Sequence, residues 1–364
     1  MILDFLTGLS WILVPILTTL TTINLATART IHSKNVDPIN SSVAILIPMR
    51  NEAANVHEVL DSATKQECLT HLKILVLDDQ STDETGALLA AENDPRIQIF
   101  RGEDLPQGWL GKNFAAHQLA SKSDAEYLVF IDADVRLSPY AIASSIAMMN
   151  QLNLDFLSPY PRQIAISWLE RLVQPLLQWS WFASVPLRLS EKFPRRSMAV
   201  ANGQFFLVRA SSYRKSGGHE AIKSEVLDDI ELARLLISKG FRGTVADGSK
   251  IAHCRMYKSP KELIAGYAKS QWRAFGNIVG SALMALILLC SSIIPLIAGL
   301  LGSPWGWIGF FAIVATRLAV AAKTQSVISS AWLHPLSALA WIALIKYSWI
   351  QKWRGALVWK DRKV

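Results

Sequence analysis

The chain has 364 residues, enough for one large domain or two modest ones, and 51% of them are hydrophobic, with the excess gathered near the two ends. Its net charge of +8 suits contact with anionic headgroups and diphosphates. The basic residues form no stripe with interleaved aromatics, which excludes a nucleic-acid partner, and three cysteines without metal-ligand spacing exclude a disulfide framework.

Residues 3–28 are almost uncharged, interrupted only by Asp4. About 20 apolar residues suffice to cross a bilayer, and this stretch is too long, and lacks the basic n-region, for a cleavable signal peptide. Residues 1–29 therefore read as an N-terminal transmembrane anchor. Arg29 and Lys34 follow it directly, so the positive-inside rule puts residues 30–277 in the cytoplasm.

From 42 to 250 short β-type runs alternate with helical periods. SVAILIPM (42–49), LKILVLD (72–78), RIQIF (96–100) and EYLVFID (126–132) read as buried strands, with amphipathic stretches near 52–66, 83–92 and 113–121 between them. This alternation predicts an α/β domain with a mostly parallel, Rossmann-like sheet covered on both faces. Ligands bind such sheets beyond the carboxyl ends of the strands. Here those ends carry Pro48 to Glu52, then Asp78-Asp79, then Asp132-Ala133-Asp134.

The Trp-rich stretch 164–190 carries Pro175, Pro186, Glu170 and Arg171, which argue against a span. It is expected to lie at the membrane interface with Trp168, Trp179 and Trp181 at headgroup level; a buried core helix is the alternative. Beyond it, 278–301 is a strong span and 331–350 another candidate. Residues 307–322 contain Arg317 and are expected to lie at the interface or re-enter, which leaves two spans and returns the basic tail, 351–364, to the cytoplasm. The expected domains are thus 1–29, a catalytic-type domain over 42–275, a membrane region over 278–350, and the tail.

Several polar residues stand out. Asp132 and Asp134, spaced i, i+2 after a buried strand, can hold one hard cation, Mg²⁺ or Mn²⁺, with positions left open for phosphates. Ser138-Pro139 reads as N-cap and N1 of the next helix, which leaves that pair without a local task. Asp78 and Asp79 can accept hydrogen bonds from a nucleobase or ribose, since Ser81 and Glu84 look able to cap the helix that follows. Asp228 reads as an N-cap, which puts Asp229 at the first helical position, where a carboxylate stays ionised and can act as a base. Lys112 can contact a diphosphate, and His253 and Arg255 a metal or phosphate.

Together the segments ILIPMRNEAANV, VLDDQSTDETG, LPQGWLGKNFA, FIDADVRLSP, ANGQFFLVRASSYRKSGG and EVLDDIELARLLISKG resemble, in order, family-2 glycosyltransferases of the GT-A fold. RMYKSPKEL and the final GALVWKDRKV most resemble the membrane-bound subgroup acting on carotenoids, hopanoids and ceramide-type lipids. The resemblance implies that Pro48, Glu52, Asp78 and Asp79 hold the uridine part of a nucleotide-sugar donor, with Lys112 nearby. It implies that Asp132 and Asp134 form the DxD metal site, and that Gly203 and Gln204 line the sugar and acceptor side. Asp229 would be the base, and His253 and Arg255 would support diphosphate and metal. The processive signature Gln-x-x-Arg-Trp is absent: Gln271, Trp272 and Arg273 are out of that spacing, so Arg273 is carried over only as an acceptor-side residue.

The implied activity is inverting transfer from a nucleotide-sugar, UDP-linked by family default, to a hydroxyl of a membrane lipid or isoprenoid, at a bacterial plasma membrane. The rivals are a polyprenyl-phosphate glycosyltransferase and a non-catalytic nucleotide-sugar-binding membrane protein.

Overall fold

The computed structural model describes residues 2–34, 36–360 and 362–363. Met1 of the expected anchor, and Asp361 and Val364 of the expected tail, lie outside the described residues.

Helix α1 (Ile2–Thr27) comes first. Strands and helices then alternate: β1 (Ile39–Met49), α2 (Val56–Thr64), β2 (Leu69–Asp78), α3 (Thr85–Ala90), β3 (Ile97–Arg101), α4 (Gly111–Ser121), β4 (Tyr127–Ile131) and β5 (Val135–Leu137). Next come α5 (Ala141–Leu152), β6 (Phe156–Tyr160), the two-residue β7 (Arg162–Gln163), α6 (Trp168–Ser184) and α7 (Leu187–Lys192). They are followed by β8 (Phe205–Arg209), α8 (Ala210–Ser216), α9 (Asp228–Ser238), β9 (Gly243–Asp247) and β10 (Ala252–Cys254). The chain then turns helical, through α10 (Pro260–Ala274), α11 (Ile278–Leu288), α12 (Ile294–Leu300), α13 (Pro304–Lys323) and α14 (His334–Trp353).

These elements form two compact units. The sheet unit, Arg29–Arg162 with Leu189–Arg255, is built on a seven-stranded sheet of order β3-β2-β1-β4-β8-β6-β9. The β2–β3, β1–β2, β1–β4 and β6–β9 pairings are parallel, while β8 runs antiparallel to both β4 and β6. The four strands expected from sequence are present, but β3, expected to be buried, lies at the sheet edge with no fully buried residue. Within β1, residues 43–47 are five successive buried residues, as a strand covered on both faces requires.

Sequence reading missed β6, β8 and β9. β6 contains Pro159, which argues against an interior strand. Its pairing with β8 covers only Phe156 and Leu157, so Pro159 lies past that ladder and its missing N–H costs nothing there.

Three helix starts differ from expectation. Ser138 and Pro139 do not cap α5: its N-cap is Tyr140, and the Ser138 carbonyl instead accepts from Ala141 N. Glu84, with no side-chain cap bond, precedes α3, and Asp83 serves its Thr85 N–H at 3.0 Å. α9 begins at Asp228 itself, one residue earlier than an N-cap aspartate requires.

The helical unit comprises Met1–Ala28, Gln163–Arg188 and Met256–Val364. Within the expected 42–275 domain, residues 163–188 and 256–275 group with the helices. Four helical segments are long and apolar enough to cross a membrane: Asp4–Thr27, Ile278–Leu300, Pro304–Lys323 and Ile328–Trp353. The stretch 307–322, expected at the interface or re-entrant, lies within α13, which runs 20 residues without a break and is long and apolar enough to cross. Arg317 is tolerated in it because the side chain is buried against protein rather than lipid.

The three tryptophans expected at headgroup level are not alike. Trp168 is 70% exposed, whereas Trp179 and Trp181 are buried in the packing of α6 against α1, α13 and α14. Asn24 ties α1 to this helix: its amide donates to Phe182 O and Val185 O and accepts from Leu187 N. One side chain so satisfies backbone groups that the end of α6 leaves open.

Candidate active site

Topology brings the polar residues of the sheet unit to one edge. β1, β2 and β4 run in the same direction, so Pro48, Asp78, Asp79 and Asp132 stand at their carboxyl ends. β8 runs the other way, so its entry, Gly203-Gln204, reaches the same edge, and Asp132 N donates to Gln204 O. The order also reverses here, with β1 leading to β2 on one side and β4 on the other, the place where open α/β sheets bind ligands.

Lys112 is the hub of the charges. It sits in the first turn of α4, against the helix dipole, so it needs carboxylates nearby. It has them: Asp132 at 2.8 Å and Asp228 at 3.4 Å. Burial alone would lower its pKa, but the charges of Asp132 and Asp228 outweigh that and hold it well above the usual lysine range. Asp228, expected as an N-cap, thus serves the ammonium instead.

Asp229 is fixed by two backbone donors. Gly203 N donates to one carboxyl oxygen at 2.8 Å and Ile230 N to the other at 2.7 Å. Burial and the charge of Asp228 push its pKa up to about 6, against the pull of Lys112 and the two N–H groups. A Cβ at Gly203 would lie 3.2 Å from the Asp229 Cβ and 3.3 Å from the Lys112 ammonium, so glycine lets the backbone come this close. Pro48, Lys112, Asp132, Gly203, Asp228 and Asp229 all line one cavity.

Asp134 lies on the same turn as Asp132. Burial first, then repulsion from Asp132, pushes its pKa up to about 6, and the Cys254 thiol hydrogen-bonds to it. One of its oxygens is buried with no partner. A repelled carboxylate pair with an orphaned oxygen fits a divalent cation. Among the described residues no group of three or more His, Cys, Asp and Glu could hold a metal ion, so a bound ion would draw further ligands from phosphates or water.

Other expected residues fall differently. Asp78 accepts from Ser81 N and Glu52 from the Asn55 amide, so both carry local turn-stabilising bonds, while Asp79 is buried. Gln204 is buried and donates to the Cys254 sulfur at 2.9 Å. His253 lies opposite Arg136 in the β10–β5 pairing. Alternation along β10 turns Cys254, not His253, toward Asp134, so the metal role expected of His253 is not supported. Arg255 ends the sheet unit, and Arg273 lies in the last turn of α10 in the helical unit.

Sequence reading missed three supports. Arg136 donates to Ala133 O, Glu58 and Asn55, bracing the Asp132–Asp134 turn. Ser158 Oγ accepts from Asn202 N and donates to Asn202 O, holding the segment that presents Gly203. His219 lines the cavity, its Nδ1 bonded to Tyr213 OH; burial lowers its pKa to about 4, so it is neutral. None has a sequence signal, because each acts through contacts tens of residues apart or inside an irregular loop.

Residues 44–217 match the family model described as Glycosyl transferase family 2. The 4,4'-diaponeurosporenoate glycosyltransferase of Staphylococcus haemolyticus (strain JCSC1435) is 25% identical over 233 residues, 63% of this chain and 60% of that protein. This chain therefore matches less than two thirds of that relative's length. The Staphylococcus aureus (strain MRSA252) protein of the same name is 24% identical over 281 residues, 74% of this chain and 71% of that one. In fold, the chain resembles the mannosyltransferase PcManGT from Pyrobaculum calidifontis, solved with GDP-Man and Mn²⁺: TM-score 0.57, 19% identity, 99% of each chain covered.

Proposed function

From a chain that carries a glycosyl transferase family 2 domain in a GT-A fold, we propose an inverting transferase that moves a sugar from a nucleotide-sugar to a hydroxyl of a membrane lipid or isoprenoid. The observation that carries this reading is the meeting of Asp229, Lys112 and Asp132 around one cavity at the carboxyl edge of the sheet. The donor is taken as UDP-linked, and a carotenoid, hopanoid or glycerolipid as acceptor; the named activity of the staphylococcal relatives supports the carotenoid choice. The sheet unit is taken to face the cytoplasm, because Arg29 and Lys34 follow α1.

Asp79, with Pro48, would meet the nucleoside at the ends of β2 and β1. Lys112 would release Asp132 to turn its ammonium toward the diphosphate, where negative charge develops as the bond to the sugar breaks. Asp132 and Asp134 would hold a divalent cation, which when bound supplies charge neutralisation at that diphosphate.

Asp229 is the base in this reading. Its raised pKa suits accepting a proton near neutral pH, and the Gly203 and Ile230 N–H groups keep it aimed while it does so. It takes the proton of the acceptor hydroxyl as that oxygen attacks the anomeric carbon from the face opposite the leaving diphosphate. The result is inversion.

The test is a lipid comparison. Deleting the gene and extracting the membranes for mass spectrometry is expected to remove one glycolipid and leave its sugar-free precursor. An unchanged lipid profile, with no precursor accumulating, would overturn the reading.

A further inference from the structure

The helical unit contains a buried cation with no carboxylate against it among the described residues. Arg317, on α13, is 2% exposed. Its Nη1 meets Nδ1 of His334, the first residue of α14, at 2.9 Å. Arginine can only donate, so Nδ1 must accept, and the imidazole is then neutral with its proton on Nε2. Both the other guanidinium nitrogen, Nη2, and this Nε2–H are buried with no partner among the described residues. So is Ser337 Oγ, one turn along the same face of α14.

The surroundings sharpen the point. The unit holds fourteen Lys and Arg against four Asp and Glu. Glu170 is bound to Ile166 N and Ser167 at the start of α6, and Glu262 to Lys258 N at the start of α10. Among the described residues no carboxylate pairs with Arg317. Nearby, Trp179 packs edge-on to His334 with ring centroids 5.4 Å apart and donates to Thr316, so the group is walled by fixed side chains. The chain flanking His334 is apolar outside: Ile328, Trp332, Leu333, Leu336 and Leu339 are all exposed.

A positive charge with two orphaned N–H donors beside an apolar exterior matches an oxyanion carried on a hydrophobic chain. We infer that Arg317 and His334 form a binding site for the acidic group, a carboxylate or phosphate, of an amphiphile. The guanidinium and imidazole N–H groups bind the oxygens, Ser337 adds a hydroxyl, and the hydrocarbon lies along the exposed face of 328–339. The inference rests on the proposed transfer only in identifying this amphiphile with the acceptor.

The experiment uses the full chain in nanodiscs, with no nucleotide-sugar present. A brominated long-chain fatty acid, the matching brominated alkyl phosphate and the matching alcohol are titrated at alkaline pH, and quenching of Trp179 is read as the part lost in Trp179→Phe. The acid or the alkyl phosphate is expected to quench at about tenfold lower concentration than the alcohol, and their ranking names the headgroup. Arg317→Gln abolishes that advantage and Arg317→Lys restores part of it. If Arg317→Gln does not fold, the wild-type ranking and Arg317→Lys still decide the matter. Equal quenching by acid and alcohol, an advantage that survives Arg317→Gln, or displacement by acetate or inorganic phosphate as effective as by the long-chain acid overturns the inference. Because no donor is present, loss of sugar transfer would not affect this result, and loss of the acid preference would leave transfer to neutral lipids intact.

Discussion

The two units of this chain treat buried charge in opposite ways. In the sheet unit, Lys112 is held between Asp132 and Asp228, and Asp229 is braced by two backbone N–H groups. In the helical unit, Arg317 faces a neutral imidazole and, among the described residues, no carboxylate. Overall the sheet unit is nearly balanced, with 23 Lys and Arg against 25 Asp and Glu, whereas the helical unit is strongly basic. A site that must take up and release a charged donor benefits from a ready internal counter-ion, which ligand can displace. A cation left without one is poised for a ligand that brings its own negative charge.

Substitutions in the sheet unit test the first half of this contrast, and the largest effect is expected at Asp132. Asp132→Ala removes both a carboxylate of the i, i+2 pair and the partner of Lys112; loss of a several-kcal/mol electrostatic contribution predicts a drop in kcat/KM of about a thousandfold. Gly203→Ala drives a methyl group against Asp229 and Lys112, and a misplacement of this kind costs about a hundredfold in kcat with the fold intact by circular dichroism. A Gly203→Ala enzyme of normal rate would show that the close approach has no catalytic meaning.

The pH profile gives a smaller, signed effect. With its pKa raised to about 6, Asp229 loses its base function as pH falls through 6, so kcat is expected to fall tenfold per unit below that value. The same shift has a stability consequence. The folded state prefers the protonated acid, so its contribution is fully present below the unfolded value near 3.8 and is lost as pH rises through about 6. Asp229→Asn is therefore expected to melt higher than wild type above pH 6 and no higher near pH 4, read by thermal unfolding without ligand.

The smallest effect is expected at an exposed residue of the helical unit. Trp168→Ala, at an exposed position, is expected to change Tm by no more than a degree or two, whereas Trp179→Ala opens a cavity and loses the bond to Thr316, about 3–5 kcal/mol. Equal melting shifts for the two would return Trp179 to the membrane interface.

How far the sequence could be read follows from what kind of signal each element carries. Strands β1, β2 and β4 announce themselves as apolar runs with carboxylates at their ends, and Asp132 and Asp134 were found that way, whereas Asp229 and Lys112 were read from helix starts. β6, β8 and β9 are short, one contains proline, and one is reversed, so periodicity does not mark them. Trp179 and Trp181 were misplaced because an amphipathic, Trp-rich helix has the same pattern whether its apolar face meets lipid or other helices. His253 was chosen from its place in AHCRMY and from the family resemblance; strand alternation, which only the β10–β5 register fixes, turns Cys254 inward instead. Arg317 was read as a defect in a span, because sequence shows the charge and not the buried His334 beside it.

The most direct test of the account measures donor affinity and turnover together on Asp229→Asn. Calorimetric titration with a UDP-sugar in the presence of Mn²⁺ should give the wild-type Kd, while transfer to a lipid acceptor falls by about 10²–10⁴-fold. Turnover close to wild type, or loss of donor binding along with turnover, would contradict the assignment of Asp229 as the base.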